Sequence, residues 1–225
     1  MSGGTHTQPE ILKYVSSALR SEITPRLRLT RAPKGRTLLE RGSRSNEVFF
    51  LLQGRAEVVL YSSTGREVCV NDIGPGDMCG EIAALDGGPR SASIVATTDL
   101  FVAAMRGADF MKCLESSPAA GIWLAGKLAA RSRRLTEQVF ELSALNVRAR
   151  IHCELLRLAQ KGEAHGAGII VRPAPTHAEL ASRIGTHREA ITREMRALSD
   201  GNVIRHGRRS LMIVDLARLE QAAQR

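Results

Sequence analysis

The sequence predicts an α+β chain with an N-terminal β-roll (jelly roll), one long helix and a C-terminal winged helix-turn-helix. Three observations carry this expectation. Between residues 31 and 105, short apolar or alternating runs such as "TLLERG", "EVFFLLQGRAEVVLYSSTGREVCVNDIGPGD" and "SASIVATTDLFVAAM" are broken by Gly42, Gly54, Gly65, Gly74 and Gly76. A spacing of about ten residues between turn residues is that of antiparallel strands joined by tight turns. After Pro118 the apolar positions recur at spacings of four and three, and near the C-terminus two helical runs flank a glycine.

Taken in order, a helix from about Pro9 to Leu19 carries Ile11, Leu12, Val15, Ala18 and Leu19 on one face. About eight strands follow. Between Ala119 and Leu142, the positions Leu124, Leu128, Arg131, Leu135, Gln138 and Leu142 keep the register of a coiled-coil seam with polar interruptions. Such a helix pairs with a second copy or packs on its own β-domain, and the register alone leaves both open. The chain is expected to hinge near Leu145, with Asn146 capping the helix "VRARIHCELLRLAQK". The expected division is therefore a roll over residues 1–118, a dimerisation helix and hinge over 119–145, and a winged helix-turn-helix over 146–225.

Composition narrows the function. The 225 residues carry a formal net charge of +9, which favours a polyanionic partner. From residue 146 onward 14 Lys/Arg face 8 Asp/Glu, a net of +6, so the excess sits in the C-terminal part and points to double-stranded nucleic acid there. Four cysteines, at 69, 79, 113 and 153, form no CxxC pair and no metal-ligand spacing, and read as reduced thiols in a cytoplasmic protein. No metal is expected. The start "MSGGTHTQPE" lacks a basic segment followed by an apolar one, and no apolar run approaches the roughly 18 residues of a spanning helix. Neither secretion nor membrane insertion is expected.

In "THAELASRIGTHREAITREMRALSDGNVIRHGRRSLMIV", Thr176 and Glu179 form a capping box, Gly185 breaks the first helix, and a second helix runs to Gly201. The tail alternates around Gly207 like a β-hairpin, the wing. The second helix groups Arg188, Glu189, Thr192 and Arg193 on one face. Arginine can bond guanine O6 and N7 bidentately, and a carboxylate accepts from the cytosine amine. Arg188, Glu189 and Arg193 are thus candidate base readers, although Glu189 could instead complete a capping box with Thr186. Thr176 and His187, at the helix starts, are candidate DNA contacts, His187 to phosphate. His152 and His177 read as ordinary helix-surface residues.

In this order of elements the chain resembles the cyclic AMP receptor/FNR family of bacterial transcription regulators. The resemblance is carried by "GEIAALDGGPRSAS" (residues 80–93), which is similar to the family's phosphate-binding cassette, by the spaced glycines, and by "IGTHREAITREMRAL", similar to its recognition helix. It implies that a cyclic nucleotide sits in the roll. Arg90 would fork onto the phosphate, Ser91 would donate its hydroxyl, and Gly80 would free backbone amides of the short helix at Ile82 and Ala83. Glu81 would accept from the ribose hydroxyl and hold Arg90. The family's purine-reading Thr-Ser pair corresponds to Leu135 and Thr136; Thr136 keeps a hydroxyl and would reach the partner subunit's ligand, whereas Leu135 cannot hydrogen-bond a base. Cyclic AMP is the first expectation, with cyclic GMP, cyclic di-GMP or a degenerate site as alternatives. The resemblance further implies a homodimer through the long helix, a TGTGA-like palindromic site with Thr192 near a thymine methyl, and an RNA polymerase contact at "QKGEAHGAG", residues 160–168.

Rival classes fare worse. A cupin-like enzyme needs histidines on the roll, and residues 31–105 contain none. An iron-sulfur sensor of the same family would place a cysteine cluster near the N-terminus, yet the first cysteine is Cys69. No catalytic residue is expected.

Overall fold

A computed structural model describes residues 8–63, 65, 67–166 and 168–223. Internal contacts divide the chain into two units, Met1–Ser132 and Arg133–Arg225. Among the described residues the first holds eight strands: β1 (Arg28–Ala32), β2 (Thr37–Leu39), β3 (Val48–Gln53), β4 (Ala56–Tyr61), β5 (Glu67–Ile73), β6 (Met78–Cys79), β7 (Ser93–Ala96) and β8 (Leu100–Met105). They form two antiparallel sheets, ordered β1-β8-β3-β6 and β2-β7-β4-β5.

Strand β3 shows why the apolar run "VFFLL" is unbroken. Successive side chains of a strand point to opposite faces, and here both faces are covered. Phe49 and Leu51 join Leu39, Ile73 and Ile94 inside the roll, while Val48, Phe50 and Leu52 join Ile11, Leu12, Phe110 and Leu124 in a second core under the helices.

The expected N-terminal helix is divided. A 3-10 turn, Glu10–Lys13, is followed by α1 (Ser17–Ile23), because the Ser16 hydroxyl accepts the Leu19 amide at 3.3 Å and starts a new helix there. Ile11, Leu12, Val15 and Leu19 are buried all the same. Helix α2 (Glu81–Asp86) stands where a short helix was expected, and α3 (Gly107–Ser116) was not anticipated.

Helix α4 (Pro118–Ala144) is continuous. Its Leu124 is buried and Leu128 half-buried against the N-terminal core, so the first turns of the expected seam pack on their own roll. The face left open is another one, with Ile122 (74% exposed) and Phe140 (63% exposed) at its ends and exposed Ala125, Gly126, Ala129, Arg133 and Thr136 between them. At 100° per residue these seven share one side of the helix.

In the second unit, α5 (Val147–Gln160) starts at Asn146, whose side chain accepts the Ala149 amide at 2.9 Å, as expected. β9 (Glu163–His165), β10 (Gly168–Val171), α6 (His177–Ile184), α7 (Arg188–Asp200), β11 (Ile204–Gly207), β12 (Ser210–Ile213) and α8 (Leu216–Ala223) follow. The wing hairpin β11–β12 is therefore half of a four-stranded sheet, β11-β12-β10-β9; β9, β10 and α8 were not anticipated. Leu155, Leu180, Ile191, Ile204 and Leu211 centre the core. His152 is no surface residue: it is 1% exposed, and its Nε2 lies 2.7 Å from the Glu194 carboxylate of α7. Arg148 reaches the same carboxylate at 2.9 Å, so a charge-compensated tie holds α7 to α5. Arg157 joins Glu141 of α4 to Glu154 of α5. No helix among the described residues is long and apolar enough to cross a membrane.

Leu155 is fully buried, so Leu155→Ala is expected to cost about 2–5 kcal/mol, read as a lower urea midpoint of the C-terminal unit by circular dichroism.

Candidate ligand pocket and nucleic-acid interface

The pocket is built on Gly80. β6 delivers the chain to this residue at φ +87°, where a Cβ would meet the Arg90 guanidinium at 2.6 Å and the Glu47 carbonyl at 2.7 Å. Only glycine combines that backbone conformation with that approach. α2 then runs for six residues and stops at Gly87, also left-handed, and the loop returns Arg90 beside Gly80.

Arg90 is 3% exposed and uses three donors on the protein: Nη1 to the Gly80 carbonyl and Nη2 to the Glu47 carbonyl, both at 2.7 Å, and Nε to Ser45 Oγ at 2.9 Å. Burial lowers its pKa, and nearby acidic groups, the Glu47 and Glu81 carboxylates among them, oppose that shift. The Cys79 thiol is pushed far up, first by burial and then by Glu81, so it is protonated at neutral pH.

Glu81 is 1% exposed. Its carboxylate was expected to hold Arg90; instead it pairs with Arg131 of α4. Arg90 is already satisfied by two carbonyls and a hydroxyl, so the acid takes the guanidinium that α4 supplies. Sequence reading treated Arg131 only as a polar interruption of a seam. That interruption was itself the available signal.

Glu81, Arg90, Arg131, Gly80, Ile82, Ala83 and Ser91 line one pocket, whose apolar wall includes Leu39, Val58 and Ile94. Two guanidiniums against one carboxylate leave one positive charge, and Ser91 is exposed. The arrangement suits a monoanion that also carries a hydroxyl and an apolar body. Leu135 and Thr136 lie one turn beyond Arg131 on α4, both exposed, in the second unit.

Glu57, Cys69 and Asp72 gather within 4.8 Å of one another through the β4–β5 pairing, a cluster that sequence spacing does not show. Each has an interaction partner.

The second site lies on α7. The capping box at Thr176 and Glu179 is present, which engages the Thr176 hydroxyl. Gly185 closes α6 in the left-handed region at φ +66°, giving the turn that sends the chain into α7. His187 is the residue before α7 and is exposed. Ile191, Glu194, Met195 and Leu198 face inward, leaving Arg188, Glu189, Thr192, Arg193 and Arg196 together on the outer face. Among the described residues no ion pair engages Arg188, Glu189 or Arg193. His177, expected on the plain surface, is half-buried, and its Nδ1 lies 2.9 Å from Thr192 Oγ1.

Gly80→Ala is expected to displace Arg90 and weaken binding of an anionic pocket ligand at least about tenfold, measured calorimetrically with the fold checked by circular dichroism.

Comparison with known proteins matches both parts of the chain. Residues 29–117 match the family described as "Cyclic nucleotide-binding domain" and residues 149–222 the "Crp-like helix-turn-helix domain". The chain is 30% identical to the cyclic AMP receptor protein of Thermus thermophilus over 85% of this chain and 86% of that one. It is 26% identical to the CRP-like cAMP-activated global transcriptional regulator of Mycobacterium tuberculosis, over 95% and 96%. A solved CRP-family transcriptional regulator from Thermus thermophilus superposes with a TM-score of 0.73 at 27% identity, covering 87% of this chain and 97% of that one. A roll with a charged pocket, a Crp-like helix-turn-helix and these relatives place the chain in the cyclic AMP receptor family, as a cyclic-nucleotide-binding, DNA-binding transcription regulator and not an enzyme.

Proposed function

We propose that this regulator is a cytoplasmic homodimer gated by a cyclic mononucleotide, cyclic AMP foremost, and that it binds a palindromic TGTGA-like DNA site. The observation that carries the effector is the pair of buried charges at Glu81 and Arg90, facing one pocket with Ser91 and Arg131. A cyclic mononucleotide is a monoanion and matches the pocket's single excess positive charge; cyclic di-GMP brings two phosphates. Arg90 and Ser91 would hold the phosphate with the backbone at Gly80, Ile82 and Ala83, and Glu81 would accept from the ribose 2'-hydroxyl. A relative named as cAMP-activated and another named as a cyclic AMP receptor protein support the choice of base. Cyclic GMP is the second reading, because Leu135 offers no hydrogen bond to an adenine amine and the nearby exposed Arg133 could donate to a guanine carbonyl.

The dimer would form on the open face of α4 from Ile122 to Phe140, where the small Ala125, Gly126 and Ala129 let a second helix approach closely. Thr136 lies on that face and would reach the partner's ligand. Arg188, Glu189 and Arg193 would read bases, with Thr192 at a thymine methyl and Thr176 and His187 at the backbone. Two such helices about 34 Å apart would enter successive major grooves. The segment of residues 160–168, which includes β9, is the candidate contact for RNA polymerase.

Calorimetric titration of cyclic AMP, cyclic GMP and cyclic di-GMP into nucleotide-free protein tests the effector. Micromolar binding of a cyclic mononucleotide is expected, weakened at least about 100-fold in Arg90→Ala, since charge-assisted hydrogen bonds contribute about 1.5–3 kcal/mol each. Tightest binding of cyclic di-GMP, or no binding, would overturn the reading. Arg193→Ala is expected to cost about 1–3 kcal/mol on a TGTGA half-site and to relax preference at one base pair, read by fluorescence anisotropy against single-base variants.

A further inference from the structure

Three elements of the DNA-binding unit meet at His177. It is the first residue of α6, its Nδ1 lies 2.9 Å from Thr192 Oγ1 on α7, and its ring stands edge-on to that of His206 on β11, centroids 6.3 Å apart. The Thr192 hydroxyl has one proton, and its Oγ1 lies 3.0 Å from the Arg188 carbonyl, which can only accept. Thr192 therefore accepts from His177, and the neutral imidazole carries its proton on Nδ1. Among the described residues Nε2 then has no hydrogen-bond partner. This tautomer leaves a lone pair on Nε2, and a second proton there would make it a donor.

The surroundings decide what that donor would meet. Arg188 and Thr192 face His177 from α7, His206 faces it from the wing, and on α6 itself the Glu179 carboxylate is turned back onto the Thr176 amide. Arg205, Arg208 and Arg209 are exposed along the same hairpin. No carboxylate pairs with either histidine among the described residues. The His177 imidazole, beside Arg188 and His206 with no acid to balance them, disfavours a second proton in the free protein. An anion brought against them reverses that preference.

We infer that His177 and His206 form a contact for a DNA backbone phosphate that takes up a proton as the duplex binds. The inference rests on the shown DNA-binding role and needs neither the proposed effector nor the proposed base sequence.

The sign follows from linkage. In the free protein the pKa of His177 is lowered from its ordinary value, first by burial and then by the charges of His206 and Arg188, so the ring is neutral at pH 7. A phosphate favours the charged form and raises the pKa in the complex. The complex then holds more protons than the separated partners. Duplex affinity therefore rises as pH falls through the bound-state pKa and levels off below the free-state value. Lost protonation at high pH also removes one cation from the interface and lowers the salt slope by up to about one.

The test uses the full chain and a rhodamine-labelled duplex of arbitrary sequence, at fixed ionic strength. Wild-type affinity is expected to fall at least about threefold from pH 6 to pH 8, beyond any change in His177→Asn. Asparagine keeps a donor for Thr192 and cannot titrate, so the variant should fold and bind while losing that part of the pH dependence; His206→Gln should reduce it as well. Imidazole resonances assigned by these variants should show the His177 pKa rising when duplex is added. An unmoved His177 pKa, or identical pH profiles for wild type and His177→Asn, would overturn the inference. Absence of any duplex binding would instead count against the DNA-binding role itself, a separate outcome.

Discussion

The N-terminal unit depends on keeping two opposite charges out of water at one place. Glu81 and Arg90 are both almost wholly buried, and a buried charge without partners is costly. The fold answers with geometry that begins at one residue. Gly80, in a left-handed conformation and in contact distance of the guanidinium, offers its carbonyl to Arg90; Glu47 and Ser45 complete the set, and Arg131 neutralises Glu81. Because these partners come from the loop before β3, the turn between β6 and α2, and α4, the pocket's charge balance and the packing of α4 on the roll are one arrangement. A ligand that offers its own anion and hydroxyl would compete for those partners.

How legible this was in the sequence varies with the range of the contact. The cassette and the helix-turn-helix are local: Gly80 to Ser91 and Thr176 to Arg193 each lie in one short stretch, and caps, turns and face groupings follow from spacing. Arg131 is fifty residues from Glu81, and nothing local reports that pairing. The faces of α4 failed for a different reason. Both a leucine-rich and an alanine-rich side are apolar enough to bury, and only the tertiary fold shows that Leu124 packs inward while Ile122 is left open.

Histidines were the other blind spot. His152 stands three and four residues before Leu155 and Leu156, on the buried stripe of α5, so periodicity could have placed it inside; its polarity argued for the surface. What permits burial is Glu194, 42 residues away on the recognition helix, with Arg148 balancing the acid. His177 reaches Thr192 in the same way. In both, one ring nitrogen is engaged by an element that sequence reading places nearby without fixing its register.

The proposed gating makes DNA binding depend on occupancy of the Gly80–Ser91 pocket. The most direct measurement is the affinity of the nucleotide-free protein for a labelled TGTGA-palindrome duplex, with and without saturating cyclic AMP, at constant salt and pH. Gating predicts weak binding alone and a gain of about 5- to 150-fold with the nucleotide, the usual size of the coupling between two sites in one protein. Equal affinity in the two conditions would contradict it.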